Sequence, residues 1–181
     1  MIRAFVGLPV PPSAAMMLHG AQAGLPHGRP VPPENFHVTL RFLGELHEPV
    51  VEDVHYALER IRAPGFPLEI RGIGLFGGGK PTTLHATVAP SPALSHLREK
   101  VVQAAREAGV ELPYEKFVPH VTLARFGAGL KGEAAEEMHA FVATRMSFAV
   151  RPFEVEEFIL YRSWLGKPGA SYEALAEYPL E

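Results

Sequence analysis

The sequence contains no cysteine, which excludes disulfide bonds, thiol nucleophiles and thiolate-ligated zinc together. No apolar run approaches membrane-spanning length, and the opening Met1-Ile-Arg-Ala-Phe-Val-Gly-Leu-Pro9 meets proline too early for a secretory leader. A cytoplasmic location is therefore the expectation. Positive charge is not in excess either. A net charge of -3 argues against a broad basic field that grips long nucleic acid. It leaves open the recognition of one phosphate at a strand end, which needs only a few local cations.

What the chain has is the material of one ordinary globular domain. Its 181 residues are 47% hydrophobic and 20% charged, enough to bury a core without staples. Eighteen prolines and seventeen glycines, with no low-complexity run, point to short, rigid loops.

The strongest organising signal is an internal repeat. Phe36-His37-Val38-Thr39-Leu40-Arg41-Phe42 returns as Pro119-His120-Val121-Thr122-Leu123-Ala124-Arg125-Phe126. The flanks repeat as well: Val6-Gly-Leu-Pro9-Val-Pro11 and Val88-Ala-Pro90-Ser-Pro92 each lead into a helical stretch. Periodicity predicts strands at 2–8, 36–43 (ended by Gly44), 66–76, 83–89, 119–126, 148–161 and 171–178. It predicts helices at 12–24, 49–62, 92–108 and 132–144. The reading is an α+β protein, residues 1–181 forming a single bilobal domain with repeats of approximately 1–80 and 81–181. Each pseudo-symmetric lobe would be an antiparallel-rich sheet with helices on its outer face, and a central cleft would lie between the lobes.

In a strand, residues i, i+2 and i+4 share a face. His37, Thr39 and Arg41 should project to one side while Val38 and Leu40 are buried, and His120 and Thr122 should do the same opposite Val121 and Leu123. Facing each other across a cleft, two imidazoles and two hydroxyls suit phosphodiester hydrolysis. One neutral histidine takes a proton from attacking water and one protonated histidine hands a proton to the leaving oxygen. The hydroxyls and an arginine can offset charge on the non-bridging oxygens. A single histidine in an apolar strand is more often structural. A polar His-x-Thr face kept twice has no packing rationale, so the catalytic reading is preferred.

Through these residues the chain resembles the 2H phosphoesterase superfamily, defined by two His-x-Thr/Ser motifs. Within it the resemblance is to the bacterial and archaeal RNA 2′,3′-cyclic phosphodiesterases, historically called 2′-5′ RNA ligases. It spans essentially the whole chain, through Arg3-Ala-Phe-Val-Gly-Leu-Pro9, His37-Val-Thr-Leu-Arg-Phe-Leu-Gly-Glu45 and Pro119-His-Val-Thr-Leu-Ala-Arg125. The resemblance implies a two-lobed fold and opening of an RNA terminal 2′,3′-cyclic phosphate to a 2′-phosphate, with no metal and no cofactor. It implies His37 as the acid on O3′, His120 as the base on water, and Thr39, Thr122 and Arg125 as phosphate ligands. Arg125 stands five residues after His120, where strict alternation points it away, so a bulge or strand end must re-aim it. Arg41 is a phosphate-ligand candidate by alternation alone. The expected partner is an RNA 3′ end, tRNA fragments included, met by a monomer that engages no membrane.

Other signals carry less. Gly72-Ile-Gly74-Leu-Phe-Gly77 spells a dinucleotide-binding pattern, but the β-branched, alternating Thr82–Val88 follows in place of a helix. Gly74 to Lys80 fits a P-loop spacing with Pro81 where the magnesium-binding hydroxyl belongs. Among nine histidines there is no H-E-x-x-H. His47 and His55 read as a solvated helix face, and His85 and His139 as structural. Phe42, Phe126, Tyr114, Tyr161 and Trp164 are candidates to stack on a base, and Lys80, Arg162 and Lys167 to rim the groove. Competing functions are an RNA-end or nucleotide binding module without turnover and a metal-dependent hydrolase. A 2H phosphoesterase acting on 2′,5′-oligonucleotides or another cyclic phosphate is a further alternative.

Overall fold

Alternation of apolar and polar residues drives the chain into strands, and prolines in the first turn help to start its first three helices. The computed structural model describes all residues, 1–181. The first segments are β1 (Ile2–Pro9), α1 (Pro12–Ala21), β2 (Arg29–Pro30), a 3-10 turn (Pro33–Asn35) and β3 (His37–Leu46). They are followed by α2 (Glu48–Glu59), β4 (Phe66–Phe76), β5 (Thr83–Val88), α3 (Pro92–Glu107) and β6 (His120–Arg125). The chain closes with α4 (Gly132–Ala143), β7 (Ala149–Val155), β8 (Glu157–Trp164) and β9 (Ser171–Pro179).

All strand pairs are antiparallel, in the order β7-β4-β5-β6-β3-β1-β8-β9, with the short β2 added to β6. The sheet divides into two groups of four. β3, β1, β8 and β9 form one and β6, β5, β4 and β7 the other, joined at a single paired position, Val38 opposite Val121. Strand membership does not follow a cut near residue 80. β4 already belongs to the second group, and β8 and β9 return to complete the first.

Two expected boundaries shift for local reasons. The run 148–161 is two strands, because at Glu156 the chain leaves β4 and crosses to β1. Buried Val155 and Phe158 are three residues apart, so the two-residue alternation breaks at the crossing. β3 runs on through Gly44, which takes the left-handed conformation (φ 90°) at a bulge rather than ending the strand.

The buried face of each strand carries the helices. Ala4, Val6 and Leu8 of β1, Val38 and Leu40 of β3, and Val121 and Leu123 of β6 join one core with Val54, Leu58, Leu97, Val101 and Met138 from the helices. Each of these Val, Leu and Met side chains stabilises the fold by roughly 1.5–3 kcal/mol relative to exposure. The opposite face of the central strands is left free for the polar residues.

Candidate active site

Antiparallel pairing of Val38 with Val121 sets His37 and Thr39 beside His120 and Thr122 on the side away from the core. The two histidines are anchored alike. His37 donates from Nδ1 to the Asn35 carbonyl at 2.7 Å, and His120 donates from Nδ1 to the Val118 carbonyl at 2.7 Å. A carbonyl can only accept, so each Nδ1 carries hydrogen and each Nε2 is the reactive edge. With Nδ1 carrying the hydrogen, His37 Nε2 accepts from the Thr39 hydroxyl at 3.0 Å.

Their surroundings differ. His37 lies against Phe5 (4.9 Å between ring centres), edge-on to Tyr172 (5.0 Å) and near Tyr161 (6.1 Å). Burial pushes its pKa from 6.5 down to about 4. The Asn35 hydrogen bond opposes that fall, and the charges of Arg125 and His120 add to it. His120 is the more open ring, edge-on to Phe76 at 4.8 Å.

The two arginine expectations separate at matching bulges. Residues opposite one another in a ladder share a face. In β6 the register slips past Leu123, so Arg125 stands opposite Thr83 as Thr122 stands opposite His85 and His120 opposite Thr87. Thr83, His85 and Thr87 alternate on one face, so the bulge turns Arg125 into the cleft, where it is exposed and unpaired. In β3 the equivalent slip past Leu40 sets Arg41 opposite the fully buried Val6. Arg41 is therefore no phosphate ligand. Only 4% exposed, it donates to the Pro113 carbonyl at 2.7 Å and pairs with Glu115 at 2.8 Å, tying the loop after α3 to the core side of β3. The place equivalent to Arg125 is taken by Phe42, opposite Phe5.

His85, expected to be structural, packs directly against the site. It is 7% exposed, stacked on Phe76 at 3.9 Å and edge-on to His120 at 5.6 Å, forming the floor beneath that ring. Gly74 makes room for it, since a Cβ there would meet His85 Nε2 at 2.9 Å. Burial, with the neighbouring His120, lowers its pKa to about 4. The signal was present in Thr83-Leu-His85-Ala-Thr87-Val, whose polar face copies the His/Thr alternation of the two motifs.

The remaining candidates scatter. Tyr161 stacks on Phe5 in the wall beside His37, and Phe126 is buried in the core. Tyr114 is exposed on the loop after α3, and Trp164 lies under Arg162 and donates to Glu173. His55 is half-buried and bonded to the Tyr178 hydroxyl, not on a solvated face, whereas His47 precedes α2 on the surface and His139 is exposed on α4.

The two depressed histidines fix the sign of an acid effect. Between pH 6.5 and about 4 the unfolded chain binds protons that folded His37 and His85 refuse. Their contribution to stability is full above pH 6.5 and is lost as pH falls toward 4. We expect unfolding free energies from urea titrations to drop between about pH 7.5 and about 4.5, by an amount on the order of a few kcal/mol for the two rings together. In His85→Phe the slope should be shallower; equal slopes would contradict the assignment.

A family model described as the 2′-5′ RNA ligase superfamily matches residues 10–165. The RNA 2′,3′-cyclic phosphodiesterase of Aeropyrum pernix is 34% identical over 162 residues, covering 87% of this chain and 88% of that protein. The RNA 2′,3′-cyclic phosphodiesterase of Bacillus subtilis is 32% identical over 134 residues, 71% of this chain and 73% of the other. A crystal structure from Thermus thermophilus superposes with a TM-score of 0.80 at 26% identity, over 98% of this chain and 97% of that one. Escherichia coli LigT complexed with 3′-AMP, at 24% identity, has the same fold (TM-score 0.78, 99% and 98% covered).

Proposed function

The chain belongs to the 2′-5′ RNA ligase superfamily, and from that premise we propose that it is an enzyme that hydrolyses RNA terminal 2′,3′-cyclic phosphate to a 2′-phosphate. The observation that carries the reading is the matched pair of imidazoles. Each is locked through Nδ1 to a carbonyl two residues back, and each shares the cleft face with a threonine two residues on. A binding module needs neither feature.

In this reading water attacks phosphorus from the open side, where His120 Nε2 takes its proton. The P–O3′ bond breaks on the enclosed side, where His37 Nε2–H protonates the departing oxygen. Thr39, Thr122 and Arg125 hold the non-bridging oxygens as charge builds on them. Burial and the facing charge of Arg125 favour the neutral form of His37. A bound phosphate brings the negative charge that offsets both influences, so the acid is charged by its own substrate. Two histidines supply acid and base without a metal ion. With a 5′-hydroxyl in place of water as the nucleophile, the same step forms the P–O5′ bond, breaks P–O3′ and joins the two ends through a 2′-5′ bond.

One chain supplies both half-sites, so a monomer suffices. No helix is long and apolar enough to cross a membrane. We place the enzyme in the cytoplasm among RNA 3′ ends such as tRNA fragments.

The test is product analysis of a short RNA ending in 2′,3′-cyclic phosphate, incubated in excess chelator. Quantitative conversion to the 2′-phosphate is expected. A 3′-phosphate product, or no conversion until metal is restored, would refute the mechanism.

A further inference from the structure

Arg3 and Arg125 are both cleft-face cations without a hydrogen-bonding or acidic partner, and only Arg125 has a place in the hydrolysis itself. Arg3 lies two residues before Phe5 on β1, hence on the same face as Phe5 and Gly7, while Ala4 and Val6 between them are fully buried. Its guanidinium rests over the Phe42 ring, 4.4 Å from the centre, a cation–π contact that holds the head group in place. Its Nε is buried and makes no hydrogen bond. Glu45, its register partner on β3, is exposed and forms no ion pair with it. A partly buried cation lacking both partners is costly unless an anion completes it.

The position says which anion. Gly7 stands opposite Thr39 and Phe5 opposite Phe42, so Phe42 is one step of two residues, roughly 7 Å of strand, beyond the level of Thr39, and Arg3, one step further along β1, lays its head group over that ring. That step is comparable with the separation of successive phosphates along a single strand. The link between the two places is Phe5, whose ring touches His37, the side on which O3′ leaves phosphorus while the ribose stays attached through O2′. We infer that Arg3, seated on Phe42, binds the phosphodiester that joins the terminal nucleotide to the rest of the RNA. This rests on the cleft being a cyclic phosphodiesterase site. It would let the enzyme favour the end of a strand over a free cyclic nucleotide, although the protein as a whole is not basic.

Three substrates separate the claims: a nucleoside 2′,3′-cyclic phosphate, a dinucleotide ending in one, and that dinucleotide with an uncharged methylphosphonate linkage. Hydrolysis of the first by the wild type tests the underlying reading, since it has no upstream phosphate. For Arg3 the readout is the ratio of kcat/KM between the charged and uncharged dinucleotides. We expect about tenfold in the wild type, close to one in Arg3→Met, and an intermediate value in Arg3→Lys, which keeps the charge but loses the fork. A wild-type ratio near one, measured with no substitution at all, would overturn the assignment. So would a tenfold ratio that persists in Arg3→Met.

Discussion

Alanine at either His37 or His120 is expected to lower kcat on an RNA cyclic phosphate by about 10²–10⁴-fold. The double variant should be little worse than the weaker single one. Acid and base act in one step, and with either missing the other has little left to do, so the losses do not add. The two replacements should differ in their effect on the fold. His37→Ala empties a place among Phe5, Tyr161 and Tyr172, but also removes a buried ring that resists protonation. That variant should lose stability at neutral pH and give up less on acidification. His120 is the more open of the two rings, so His120→Ala should unfold near the wild-type midpoint. Single-turnover rates, with urea titrations of each variant, check both statements. A single variant within tenfold of the wild type would mean that the symmetric pair is not the catalytic machinery.

The pair was legible in the sequence because its signal is local. A strand's alternation sends His and Thr one way and Val and Leu the other, and Val38 and Val121 are indeed the buried position that joins the two halves. The arginines show where that rule ends. Arg41 satisfies alternation and is lost to the core side, whereas Arg125 violates it and reaches the cleft. One extra residue in each strand, at Leu40 and at Leu123, reverses the outcome. Neither leucine looks like a bulge, since the slip is set by the neighbouring strand's register and not by local composition. The place of His85 beside the site was hidden for a related reason. Its own segment carries the pattern, but its importance comes from standing opposite Thr122, a partner 37 residues away that only the sheet order supplies. The crossing at Glu156 was hidden in the same way, by two strands that abut in sequence and lie in different halves of the sheet.

The division of labour between the histidines should appear as a selective rescue. If His37 protonates O3′, a cyclic phosphate with sulfur in place of O3′ has no need of it, because a thiol with a pKa of about 8.5 leaves as the anion. His37→Ala should then recover most of its loss on the sulfur substrate, on the order of 10²-fold. His120→Ala should stay slow, because water still has to surrender its proton. The wild type offers an independent check. On the oxygen substrate kcat, which reports the bound complex, should fall on the alkaline side, where the acid is no longer protonated, and with sulfur that fall should flatten. Rescue of His120→Ala instead would exchange the two roles. Rescue of neither would mean that protonation of the leaving oxygen is not what His37 supplies. The expected pattern follows from placement. The ring enclosed by Phe5, Tyr161 and Tyr172 is shielded from the solvent that must deliver the nucleophile, and the ring on the open side is not. In that reading the walls around a pseudo-symmetric pair of motifs give it one direction of reaction.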